Sequence, residues 1–222
     1  MFAVRVWDLP TRLCHGAIGL LFMGLVLSGQ IGGDAMVWHM RCGYAMLSLV
    51  MWRIVWGFAG GYWSRFFSFV STPLQAWRYA RQPLAQMQPA VGHNPLGAWS
   101  VLAMLSFLGL QALAGLFSDD QIATSGPLVA RVSNAWVELA TQWHTGPGKW
   151  ALIALVVLHL GSVYWYLRVR RIDLLRPMLT GDKILANPAQ ASKDNKASRV
   201  LAGLLLLLCA TAVGLIVRSG PL

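Results

Sequence analysis

Charge is what this chain has least of. Only 12% of its 222 residues are Asp, Glu, Lys or Arg, against 56% that are apolar, and an ordinary soluble domain carries about 25% charged residues. Acidic residues are the scarcer sign, eight against eighteen basic ones. Residues 101–117 and 200–217 hold no charge at all, and runs of this kind are long enough to cross a hydrocarbon core about 30 Å thick. The composition therefore excludes a soluble globule. Short segments of alternating polarity are missing, which excludes a closed β-barrel, and no solenoid-type repeat is visible. Cysteine is sparse as well. Cys14, Cys42 and Cys209 share no short loop, so a disulfide framework is not implied. What is left is an all-α integral membrane helical bundle.

The formal charge of +10 is laid out by topology and does not form a nucleic-acid surface. Basic residues gather at the N-terminus (Arg5, Arg12), in the second connection (Arg65, Arg78, Arg81) and after the fourth span. That last group runs Arg168, Arg170, Arg171, Arg176, Lys183, Lys193, Lys196 and Arg199. The alternate connections carry Asp34 in one case and Asp119, Asp120 and Glu138 in the other. This asymmetry places the N-terminus on the cytoplasmic side. A dozen residues precede the first apolar run, with no small-residue cleavage site at a suitable distance, so that run is expected to stay as a span.

Five spans are predicted, at about 11–30, 36–58, 94–117, 144–166 and 200–217. Pro10 sits at the start of the first, where a missing N–H costs nothing. Gly16, Gly19, Gly24 and Gly29 thin its surface, so that a helix or a flat ligand can come close. Residues 60–92 mix Trp63, Phe66, Phe67, Phe69, Trp77 and Tyr79 with arginines, the pattern of a segment lying at the cytoplasmic interface. The outer connection 118–142 has room for a short surface helix. Residues 1–185 form one functional domain of four spans, and 186–222 add a cytoplasmic linker and a peripheral fifth span. Of the eleven tryptophans, Trp7, Trp38, Trp63, Trp99, Trp136 and Trp143 fit the interfacial belts, while Trp52 and Trp56 have two readings, packing on a porphyrin or, the preferred one, against helices.

Histidines give this bundle a chemistry. His144 and His159 lie fifteen residues apart on the fourth span, a spacing that returns a helix to nearly one face about 22 Å further along. His15 stands early in the first span, near the cytoplasmic side, and His39 early in the second, near the outer side. Depth then pairs His15 with His159 and His39 with His144. Two imidazoles on facing helices are the axial set of a haem that passes electrons without an open position. One metal cannot reach both depths, so a four-histidine zinc site is excluded. Each histidine near a span end has an interfacial alternative; His159, deep in its span, has the weakest. No Cys-x-x-Cys-His stretch is present, so two haems b would be held non-covalently. Arg53, fourteen residues beyond His39, has two readings, a partner for a haem propionate or a snorkelling arginine. His93 binds a propionate, lines a quinone site or caps the third span. Gln111 is read as an interhelical hydrogen bond.

The stretches RVWDLPTRLCH (5–15), HMRCGY (39–44), RIVWG (53–57), GHNPLGAW (92–99) and RPMLTGDK (176–183) resemble the bacterial cytochrome b561 group. These belong to the wider b-type cytochromes that include the membrane subunit of nickel-iron hydrogenases. The resemblance covers about the first 185 residues. It implies a bundle with two haems b held by histidines of spans one, two and four, and His15, His39, His144 and His159 fall on those positions. Cys14 and Gly16 stand where many relatives have aromatics. The resemblance further implies electron transfer in the respiratory chain of a bacterial inner membrane, between the quinone pool and a periplasmic c-type cytochrome or superoxide. The quinone pocket is expected near Arg53, His93 and the aromatic stretch 60–92, and the fifth span is a candidate for homodimer contact. A haem-bearing anchor subunit of a hydrogenase-like oxidoreductase is the alternative. A haem-free transporter is a third, with only Arg53 and the histidines at depth to support it.

Overall fold

The computed structural model describes residues 1–83, 86 and 90–220. Five helices are long and apolar enough to cross a membrane. They are α1 (Leu9–Ile31), α2 (Ala35–Ala59), α5 (Pro95–Leu116), α7 (Pro147–Arg168) and α9 (Lys196–Arg218). Between them lie α3 (Phe66–Phe69), α4 (Pro73–Arg81), α6 (Asn134–Thr145), α8 (Leu175–Thr180) and a two-stranded ribbon of β1 (Phe2–Arg5) with β2 (Asp182–Leu185). Helices α6 and α7 follow one another across a single break at Gly146. The fourth apolar span runs through both, Asn134–Arg168, so His144 sits on α6 just before the break and His159 on α7 after it. The chain divides into two compact units, and each of the five long helices contributes one end to each.

The first unit comprises Met1–Leu13, Ile54–Met104 and Leu155–Ala202. Its centre is Val4, Val6 and Trp7, packed on Trp63, Val91, Met178, Leu185 and Ala189. The ribbon is antiparallel, with Phe2 opposite Leu185 and Arg5 opposite Asp182. Gly181, at a left-handed φ of 93°, ends α8 and offers its carbonyl to the amides of Val6 and Trp7 at 2.9 and 3.1 Å. Glycine takes that conformation without the steric cost of a Cβ. Arg5 bonds Asp182 through Nε and Nη2 and Asp194 through Nη1, and Arg199 completes the chain on Asp194.

Behind the ribbon lies Asp8, which has no exposure to solvent. Its Oδ1 accepts from the Thr11 amide at 2.8 Å, capping α1, and from the Trp56 indole at 3.1 Å. Its Oδ2 accepts from the Gly61 amide at 3.2 Å and the Ser64 hydroxyl at 2.5 Å. An N-cap carboxylate is ordinary. Here it also ties the starts of the first helix and of the interfacial stretch to one point. That stretch begins as a 3-10 turn (Tyr62–Ser64), followed by α3 and α4. A capping box of Thr72 and Gln75, with Pro73 at the first helical position, starts α4. Residues 84, 85 and 87–89 of the stretch lie outside the described residues.

The second unit comprises Cys14–Arg53, Leu105–Ala154 and Gly203–Leu222. Met46, Val50, Leu108 and Leu152 bring α2, α5 and α7 together, with Ile18, Leu21, Phe22 and Leu25 of α1 packed on them. Helix α9 joins through Val213, against Leu47 and Leu116. The opposite faces are apolar too: Leu20, Met23, Leu27 and Ile31 of α1 and Leu204, Leu207, Leu208 and Leu215 of α9 are more than half exposed. Water would not tolerate such a surface, and lipid is its natural solvent.

Candidate functional site

Two glycines begin the site. Gly32 and Gly33 both have left-handed φ angles, 66° and 53°, and the tight reversal they allow is held by Ala35 N to Gly32 O and Met36 N to Gly33 O. Helix α2 therefore starts at once beside the end of α1, and His39 comes back against residues ten to fourteen positions earlier. Its Nδ1 lies 3.0 Å from the carbonyl of Leu25 and 3.2 Å from the Ser28 hydroxyl. Ser28 itself donates to Gly24 O at 2.6 Å, which leaves its oxygen to accept from the ring.

His144 is placed by the break between α6 and α7. The last carbonyls of a helix need partners outside it, and the Gln111 side-chain amide donates to His144 O at 2.7 Å. In return the His144 Nδ1 lies 2.9 Å from the Gln111 carbonyl. Gln111 so grips His144 at both its main chain and its ring. Gly148, at the start of α7, makes room for this: a Cβ there would collide with Gln111 Oε1 and come within 2.6 Å of Trp143 Nε1. The interhelical hydrogen bond expected of Gln111 is present.

The rings of His39 and His144 have centroids 6.0 Å apart and planes at 86°. An imidazole–metal bond of about 2.0–2.1 Å, with roughly 1 Å more to each ring centre, spaces two rings across one iron by about 6 Å. A backbone carbonyl can only accept, so Nδ1 carries the proton in both rings and Nε2 keeps its lone pair, the tautomer a metal ligand needs. Both histidines line a cavity of about 240 Å³. Phe22, Leu25, Met46, Leu108, Leu152 and Ile153 give it apolar walls, and Gln30, Asp119, Asp120, Thr141, Thr145 and Lys149 add polar groups. The donor set and the cavity fit a bis-histidine haem. Asp120 accepts from the amides of Ile122, Ala123 and Thr124, each at 2.9 Å. Hydrogen bonding from Thr124, then Ile122 and Ala123, holds its carboxyl down at about 2.

The remaining sequence candidates are placed as follows. His15 is exposed on α1, in the second unit, and His159 is half-buried on α7, in the first. Arg53 is buried on α2, within electrostatic reach of Cys14. The His93 ring lies against the rings of Trp7 and Phe69 in tilted contacts, with centroids 4.8 and 4.7 Å away and planes at 58° and 48°. The cap of α5 is its neighbour Asn94, whose Oδ1 accepts from Gly97 N at 2.7 Å and whose Nδ2 donates to Tyr166 OH. Capping is thus not the role of His93. Trp56 is packed within the protein, with its indole N–H on Asp8 and Thr11. Sequence reasoning missed the carbonyls of Leu25 and Gln111 and the Ser28 hydroxyl. Main-chain atoms leave no mark in a sequence, and only the spacing of Gly29 and Gly115 hints at them.

Residues 6–181 match the family model described as prokaryotic cytochrome b561. The chain is also similar to a protein of Bradyrhizobium diazoefficiens described as a probable Ni/Fe-hydrogenase B-type cytochrome subunit. The two are 23% identical over 214 residues, covering 81% of this chain and 85% of the relative. No solved structure matches.

Proposed function

The chain belongs to the prokaryotic cytochrome b561 family, and from that membership we propose that it is a di-haem carrier moving electrons between the quinone pool and a redox partner. It is a multi-pass membrane protein and a b-type cytochrome, hence a haem protein. The observation that carries the finer reading is the His39–His144 pair, 6.0 Å apart with both Nδ1 atoms engaged on carbonyls. Haem b bound there supplies a one-electron couple, which lets a two-electron quinol be drained in single steps.

The chain's own groups do the rest. His39 and His144 would hold the haem through Nε2. The apolar lining residues would keep water from it, and Lys149 would meet a propionate. His15 and His159 are the ligands of the second haem in this reading, on the strength of their sequence positions, with Arg53 beside it for a propionate. His93, held against the tilted rings of Trp7 and Phe69, is the side chain that would line a quinone site, and its neighbour Asn94 bonds Tyr166, which in turn meets Tyr79. Supporting an N-terminus on the cytoplasmic face of a bacterial inner membrane is the crowding of Lys and Arg on alternate connections. The outer partner would be a periplasmic c-type cytochrome or superoxide. A second reading, favoured by the name of the Bradyrhizobium relative, is the membrane subunit of a hydrogenase-like oxidoreductase, with the redox subunit docked at that outer face.

A reduced-minus-oxidised spectrum with a pyridine haemochrome assay tests the proposal. Two haems b per chain are expected. His39→Ala and His144→Ala should each remove the same haem, and His15→Ala and His159→Ala the other. A colourless protein, or loss of different haems from His39→Ala and His144→Ala, would overturn it. Co-purification with an iron–sulfur subunit would instead select the hydrogenase-like reading.

A further inference from the structure

The two histidines are seated in the same way on two different helices. On α1 the acceptor is the carbonyl of Leu25, and the residue four positions on is Gly29. On α5 the acceptor is the carbonyl of Gln111, and four positions on is Gly115. A Cβ built on Gly29 would lie 3.2 Å from His39 Cε1 and 3.3 Å from its Nδ1, and one on Gly115 would lie 3.0 Å from His144 Cε1 and 3.4 Å from its Nδ1. In an α-helix each side chain leans toward the N-terminus, so the residue at i+4 covers the carbonyl at i. That carbonyl already accepts from the amide at i+4 and has one lone pair left. With glycine at i+4 the second lone pair lies open to a donor from a neighbouring helix.

We infer that Gly29 and Gly115 are positioning residues that uncover the Leu25 and Gln111 carbonyls, and so fix the tautomer and donor strength of the two haem ligands. The inference rests on the haem reading of this pocket. An Nδ1–H bonded to a carbonyl makes the imidazole a stronger donor, which favours the oxidised iron. The two glycines thereby hold the potential of this haem down as well as its ligands in place. The other glycines of these helices lack this relation. A Cβ on Gly24 would meet only Cys42 Sγ at 3.8 Å, and one on Gly109 only Val50 Cγ1 at 3.6 Å.

Four alanine variants of the full-length protein test this: Gly29→Ala, Gly115→Ala, and the controls Gly24→Ala and Gly109→Ala. Redox titration should show one haem shifted to higher potential in the first two and no shift in the controls. Transfer of that haem to apomyoglobin should be faster in the first two, matching the 10- to 100-fold loss of affinity typical when such a supporting bond is removed. If either alanine variant fails to accumulate, Ser28→Ala takes its place. It removes a neighbour of His39 Nδ1 without adding an atom, and should raise the potential of the same haem. Unchanged potentials in all these variants, or equal shifts in the controls, would overturn the inference while leaving the cytochrome reading intact. A wild-type protein without haem would overturn both.

Discussion

Asp8 shows how much a single side chain can hold at the edge of a membrane. Both its oxygens are used, by two main-chain amides, an indole and a hydroxyl, and no water reaches it. Asp8→Ala would strand several buried donors, each costing about 1–3 kcal/mol, along with the cap of α1. Thermal unfolding in detergent should show a loss on the order of 3–5 kcal/mol. Asp8→Asn should cost less, since it keeps one acceptor. The candidate histidines stand out at this scale because an imidazole in an apolar span is costly without a partner. Their supports do not. The Leu25 and Gln111 carbonyls belong to the main chain. The fifteen-residue interval from His144 to His159 reads as one unbroken helix, whereas the chain breaks between them at Gly146.

Single elements carry the next level of control. The outer connection after α5 folds around Asp120, whose carboxylate collects three successive amides. These bonds lower its pKa to about 2 from an ordinary value near 3.8. Their stabilisation is therefore complete above about pH 4 and fades as the pH falls through 2. The amide shifts of Ile122, Ala123 and Thr124 should titrate together with a midpoint near 2, and Asp120→Asn should abolish the transition. A common midpoint near 4 would show that the amides do not hold the carboxylate. The long helices were readable from apolar length and from the Asn94-Pro95 and Gly-Gly signals at their ends. The ribbon was not, because strands of four residues paired across nearly the whole chain leave no local pattern.

For the whole molecule, the alternation of basic and acidic connections predicts its orientation across the bilayer. With five spans and the N-terminus inside, alkaline phosphatase fused after Arg218 should be active, and fused within residues 186–195 it should be inactive. The reverse result would invert the topology. The ribbon sets a condition on biogenesis as well. Arg5 and its partner Asp182 are 177 residues apart, which at about 5–20 residues per second takes a ribosome roughly 10–35 s. The first strand made must wait, unpaired, until almost the last one emerges. A nascent chain stalled before Asp182 would carry a naked strand edge, and emergence of residues 182–185 would be the event that closes it.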